Sequence, residues 1–113
     1  MFYSYKARIV RVIDGDTFIA EIDRGFGDFS LKTIRLTRIN TPEIRGVEKE
    51  EGLAAKQFLE SLLEECDFHC TIYSQRVDSF GRSLAEVFVE RQDKSVNLND
   101  LLVEKGHAKF VDY

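Results

Sequence analysis

Ala54-Ala55-Lys56-Gln57-Phe58-Leu59-Glu60-Ser61-Leu62-Leu63 is the stretch where the chain changes its period. Ala54, Phe58 and Leu62 recur every fourth residue, and so do Ala55, Leu59 and Leu63. That spacing predicts an amphipathic helix with a broad apolar stripe, within a segment running from Gly46 to Glu65. Glu60, Glu64 and Glu65 read as its solvated face. On both sides the period falls to two. Upstream, Thr17 to Asp23 alternates, with Phe18, Ala20 and Ile22 on one face and Thr17, Glu21 and Asp23 mostly on the other. Asp16 shares the parity of the apolar face, so it is expected to point inward at the open end of that strand.

The other elements follow outward from this pair. Ala7 to Ile13 is rich in β-branched residues and predicts a strand. Arg24-Gly25-Phe26-Gly27-Asp28 predicts a hairpin loop; its glycines are not followed by a helix that would make a phosphate cradle. A third strand is expected from about Phe29 to Ile39, and two more over Phe68–Gln75 and Leu84–Glu90. Asn97 to Lys105 predicts a second helix with Leu98, Leu101 and Leu102 inward and Gly106 as its C-cap. Three strands, a helix, two strands and a helix make a mainly β (α+β) pattern. It is that of an OB-fold, a five-stranded, partly open Greek-key barrel carrying two α-helices.

Composition narrows the function. The 113 residues suit one domain spanning 1–113, with no repeat, linker or low-complexity tract. A net charge of −4 excludes a protein that coats nucleic acid by bulk electrostatics, but not an enzyme with a local cationic site. Cys66 and Cys70, with His69 between them, lack the second ligand pair a structural zinc site needs, so they read as free thiols. No stretch approaches the ~20 apolar residues of a membrane span. The N-terminal Met1-Phe2-Tyr3-Ser4-Tyr5-Lys6 has no apolar leader, so a cytoplasmic location is the expectation.

Three segments carry the chemistry. Asp14-Gly15-Asp16 reads as a hairpin turn, and equally as a source of carboxylate oxygens for a hard cation, with Asp16 the ligand and Asp14 a supporting charge. In Asn40-Thr41-Pro42-Glu43 the proline restrains Thr41, so that the Thr41 carbonyl and the Asn40 side-chain oxygen can face a cation. Glu43, stiffly placed after the proline, is set to polarise a water; the alternative is a capping Asn and a solvated Glu at a strand exit. Arg35 and Arg82, the latter closing Asp78-Ser79-Phe80-Gly81-Arg82, offer guanidinium forks that match phosphate oxygens. For Arg82 a surface salt bridge to Asp78 is the ordinary alternative. Arg38, Arg45 and Arg76 read as surface charges.

Together these motifs resemble the thermonuclease, or staphylococcal nuclease-like, family. The resemblance runs from about Arg8 to Lys109. It includes Ile13-Asp14-Gly15-Asp16-Thr17, Arg35-Leu36 through Ile39-Asn40-Thr41-Pro42-Glu43, Asp78 to Ala85, and Leu98-Asn99 through Gly106 to Ala108. It implies an OB barrel with helices and a calcium-dependent nuclease that cuts within DNA and RNA and leaves 3′-phosphates. It makes Asp16, Asn40 and the Thr41 carbonyl the Ca²⁺ ligands, Glu43 the residue that activates or orients water, and Arg35 and Arg82 the phosphate-binding pair. Single-stranded or locally melted DNA or RNA is the implied substrate.

Two departures stand out. Asn40 replaces the aspartate of the best-known members, so calcium affinity is expected to drift toward ~10⁻⁴–10⁻³ M, with Mg²⁺ or Mn²⁺ as alternatives. The family's usual third, C-terminal helix is absent by Tyr113; a monomer is expected, with a dimer as the alternative that covers the open flank. Tyr113 falls near the nucleotide-stacking tyrosines of the family and is not assigned. The rival reading is a catalytically weak or inactive OB-fold module that binds nucleic acid or protein. A calcium-binding scaffold with no nucleic-acid contact is a third.

Overall fold

The computed structural model describes residues 3–77 and 81–111. The segment Asp78-Ser79-Phe80 and Tyr113, both singled out above, lie outside the described residues. Its strands are β1 (Tyr3–Asp14), β2 (Thr17–Asp23), β3 (Phe29–Leu36), β4 (Ile39–Asn40), β5 (His69–Val77), β6 (Ser83–Arg91), β7 (Lys94–Asn97) and β8 (Lys109–Phe110). Its helices are α1 (Lys49–Glu65) and α2 (Leu98–Glu104), with a 3₁₀ turn over Gly46–Glu48 leading into α1.

Five strands close the barrel. β1 pairs antiparallel with β2 and with β5, β2 with β3, and β5 with β6. The seam is parallel and short: Ile34 faces Ser83, Arg35 faces Leu84, and Leu36 faces Ala85. β1 serves two partners in succession, and its register shifts near Val10 and Ile13 let it bend from one to the other. This is the expected OB-type barrel with two α-helices among the described residues.

The barrel is filled by the inward residues of the alternating strands. Phe18, Ile34, Leu36, Ile72, Val87 and Val89 are almost wholly enclosed. α1 closes one end with Ala55, Leu59, Leu62 and Leu63, while Ala54 faces solvent and Phe58 stacks on the His107 ring at 4.7 Å. α2 adds Leu98, Leu101 and Leu102. Its first orphan donors are met by Asn97, whose side chain accepts from the Asp100 N–H. Gly106 ends it at φ +81, and the His107 N–H reaches back to the Leu102 carbonyl.

Three strands go beyond the expected set. β7 is joined to β6 through Gln92 and Asp93, both at positive φ (53° and 63°). That is the backbone of a type I′ hairpin without the glycine that normally signals it. The expected third strand does not continue to Ile39: it breaks where Arg38 takes φ +69. The chain then resumes as β4, which pairs with β8 through two residues on each side. No described helix is long and apolar enough to cross a membrane.

Candidate active site

Asp16 occupies the β1–β2 turn, and it is 5% exposed, so the turn reading and the buried-carboxylate reading hold together. Gly15 is needed here for space. A Cβ on it would sit 2.8 Å from the Ala55 Cβ of α1 and 3.0 Å from the Thr41 hydroxyl oxygen. The absence of a side chain lets the turn lie flat between the helix and the Thr41 segment.

Arg35 lies opposite Thr17 on the neighbouring strand, so its guanidinium reaches Asp16 over a short path. Nη2 is 3.3 Å from Asp16 Oδ2 and donates to Asn40 Oδ1 at 3.1 Å. Nη1 donates to the carbonyls of Leu36 and Ile39, the latter at 3.1 Å. Asp16 is also gripped by its neighbours. Oδ2 accepts from the Thr41 N–H at 3.1 Å and Oδ1 from the Thr17 hydroxyl at 3.0 Å. Its backbone carbonyl accepts from the Leu36 N–H at 2.8 Å. Four sequence-predicted residues, Asp16, Arg35, Asn40 and Thr41, thus meet in one cluster.

Glu43 is exposed and lies two residues beyond Thr41, which puts its Cα within about 7 Å of the Thr41 Cα. Its backbone is seated on α1. A Cβ at Gly52 would fall 2.0 Å from the Glu43 carbonyl oxygen and 2.7 Å from the Ile44 nitrogen. No real Cβ survives such an approach, so Gly52 fixes how closely the Glu43 segment lies on the helix. Arg82 immediately precedes β6, where Ser83 pairs with Ile34. It therefore stands at the seam beside the strand that carries Arg35, and it is half-buried.

The two aspartates respond in opposite directions. Burial works to raise the Asp16 carboxyl, but the Asp14 hydrogen bond, the Arg35 charge and the Thr41 and Thr17 donors outweigh it and hold it below the usual range. Burial, then the hydrogen bond and charge of Asp16, push Asp14 up to about 6. Asp16 is therefore the more readily ionised of the two, and Asp14 the one that gives up its proton later.

Asp16, Asn40 and the Thr41 carbonyl are all hard oxygen donors, a set that fits Ca²⁺, Mg²⁺ or Mn²⁺ and not a soft ion. It holds a single carboxylate. Among the described residues no three histidine, cysteine, aspartate or glutamate side chains group as a metal site. Among them, too, no enclosed side-chain polar atom lacks a partner. Cys66 and Cys70 are free; burial, then the neighbouring Cys66, lifts Cys70 to about 12, which leaves it an inert core thiol.

Arg38 is a surface charge as expected, but a paired one. Its Nε is 2.6 Å from Glu86 Oε2, its Nη2 is 2.9 Å from Asp100 Oδ1, and its guanidinium lies 5.8 Å over the Phe110 ring. Glu86, burial and Asp100 together leave its pKa raised, with Glu86 the main cause. Beside it Asn99, wholly enclosed, donates to the Thr37 and Ala85 carbonyls and accepts from the Val87 N–H. The sequence reading included Asn99 in the Leu98-Asn99 motif but gave it no role, because its partners Thr37, Ala85 and Val87 are distant in the chain. Gly52 carried a signal: an isolated glycine within a helical pattern marks a close approach.

A five-stranded OB barrel whose seam draws Asp16, Arg35, Asn40 and Thr41 together is a staphylococcal nuclease-type fold. Residues 33–113 match the staphylococcal nuclease homologues, and the chain belongs to that family. The matched span begins after Asp16, so what ties the Ile13–Thr17 turn to the family segment is its contact with Arg35 and Thr41. The chain is also similar to an uncharacterized protein of Methanocaldococcus jannaschii, at 28% identity over 126 residues. That alignment covers 93% of this chain and 58% of the relative, so the chain spans little more than half the length of the protein it matches.

Proposed function

We propose that residues 1–113 act as a single-domain, metal-dependent phosphodiesterase that cuts within DNA and RNA with little sequence preference. The observation that carries this reading is the contact of Asp16 with both Arg35 and Thr41, which draws three separated segments to one point. Asp16, Asn40 and the Thr41 carbonyl would hold a divalent cation, Ca²⁺ first and Mg²⁺ or Mn²⁺ as alternatives. When bound, it would polarise the scissile phosphate and neutralise its charge. Arg35 orients Asp16 and Asn40 and, with Arg82, stabilises charge on the phosphoryl oxygens in the transition state. Glu43 accepts a proton from the attacking water or fixes its approach. A general base supplies only ~10²–10⁴-fold, so the arginines and the cation site must share the work.

The test is incubation with single-stranded DNA and Ca²⁺, with and without chelator. Cleavage that chelator abolishes is the expected result, and Glu43→Gln is expected to fold normally while losing on the order of 10²–10⁴-fold in rate. Chelator-insensitive cleavage, or full turnover by Glu43→Gln, would overturn the mechanism.

A second reading has its own support. Asn40 leaves the site one carboxylate short, and the Arg35 guanidinium is engaged by Asp16, Asn40 and two carbonyls. Both favour an OB-fold module that holds single-stranded nucleic acid and cuts it slowly or not at all. Binding without cleavage in the same assay selects it.

A further inference from the structure

All five barrel strands contribute to one opening, a cleft of about 290 Å³ at the barrel mouth. Its lining carries two cations, Arg24 and Lys32, the three serines Ser30, Ser74 and Ser83, and Tyr5. Among the described residues no acidic side chain lines it. In a chain of net charge −4 that is unusual, and the contrast is visible within the molecule. The larger cleft of about 480 Å³ also has two cations, Lys6 and Arg8, but Glu21, Asp23 and Glu90 line it with them. There the acids outnumber the cations; at the mouth only the cations are found among the described residues.

The mouth and the candidate active site share strand β3 but not a face. Lys32 precedes Arg35 by three residues, about 10 Å along the strand, and that odd spacing sets the two on opposite faces. Ser83 directly follows Arg82 and pairs with Ile34. The Arg24 guanidinium is held by the Ser30 hydroxyl at 3.1 Å. It also has a solvated contact of 3.9 Å with Asp28, a pair too exposed to compete strongly with a phosphate oxygen pair that accepts several hydrogen bonds.

We propose that this mouth is a second phosphate-binding subsite, in which Arg24 and Lys32 hold a phosphodiester of a single-stranded polynucleotide. The serine hydroxyls give the phosphate oxygens neutral donors. The cleft is at the small end of ligand sites, room for one nucleotide unit and not for paired strands. The proposal rests on the nuclease reading for its choice of ligand, but the binding it asserts does not need cleavage.

The experiment is fluorescence anisotropy with a 5′-labelled ten-nucleotide single-stranded DNA in EDTA, repeated over a range of salt. Arg24→Gln/Lys32→Gln is compared with wild type and with Lys94→Gln/Lys105→Gln, a control of equal net charge; circular dichroism and thermal unfolding establish that all three fold. At ~0.7 per phosphate contact on a single strand, the slope of log K against log salt is expected to shrink by about 1.4 in the mouth variant. It should hold in the control. Lys32→Gln alone, at a fully surface position, should give half that change. Equal slopes in mouth variant and wild type, an equal drop in the control, or no binding by wild type would each overturn the subsite. Cleavage by wild type with unaltered binding by the mouth variant sinks the subsite and leaves the nuclease reading standing. The expected slope change without any cleavage does the reverse.

Discussion

Arg35 and Arg38 are three residues apart, and each guanidinium holds two acidic or amide side chains, yet their surroundings are opposite. Arg35 is enclosed: its side chain is 8% exposed and that of its partner Asp16 is 7% exposed. Arg38 is 43% exposed and sits between Glu86 and Asp100 at the surface. The backbone makes the difference. Arg35 belongs to a paired strand, so it points where Thr17 points, under the Thr41 segment. Arg38 has left the strand at positive φ and swings out over Phe110. The first arginine shapes a site; the second fastens β6 and α2 to the strand break. In low dielectric the first pair is strongly interdependent, whereas water weakens each contact of the second.

The largest contrast should come from cutting each pair at its acid. Asp16→Ala strands a buried guanidinium and is expected to cost about 3–5 kcal/mol of folding free energy. Urea titration reads it, and a loss under 1 kcal/mol would mean that Arg35 is not truly buried with its charge. Next comes Gly52→Ala, where the new methyl must drive the Glu43 backbone off α1. Overpacking of this kind costs about 1–3 kcal/mol. The distinguishing readout is a fall in kcat with oligonucleotide affinity retained, since Glu43 and not the phosphate contacts would move. A Gly52→Ala protein with native turnover would show that the Glu43 segment is free to shift.

Arg38→Ala should be milder, about 1 kcal/mol, because its contacts are solvated. Its loss should also shrink in high salt while that of Asp16→Ala barely changes; parallel salt behaviour would erase the distinction between the two arginines. The smallest effect concerns pH. The Asp14 carboxyl is raised from 3.8 to about 6 in the fold, so the folded state holds its proton more tightly than the unfolded chain does. That contribution is complete below about pH 4 and is lost as pH rises through about 6. Asp14→Asn should flatten this part of the stability curve. A wild-type curve that rises over the same interval would contradict the sign.

Much of this arrangement was legible in the chain. The alternation around Phe18 and the four-residue recurrence around Leu59 name the right elements, because each reports a face buried against one partner. Asp16 was expected inward by parity; it is buried, but in the turn before β2 and against Arg35 and Thr41, not on the face of Phe18. What was not legible depends on pairings the local pattern does not encode. β7 turns on Gln92-Asp93, which offers no glycine to read; β4 and β8 are too short to show a period. That the surface charge Arg38 is paired could not be read, because Glu86, its main partner, lies 48 residues away. The roles of Asn99 and Gly15 are set by what comes to rest beside them. A sequence records the residue and not the neighbour.

The parallel seam joining β3 to β6 has one more implication, for the order of assembly. Ile34 and Ser83 meet across 49 positions, so most of the chain must be made before that edge can close. Contacts this distant form late on the way to the native state. A half-synthesised chain can hold the first hairpin and its Asp16, but not Arg82 beside Arg35. On the proposed function, the cutting centre would come into being only with the finished barrel, and a nascent or torn copy would be harmless to the nucleic acid around it.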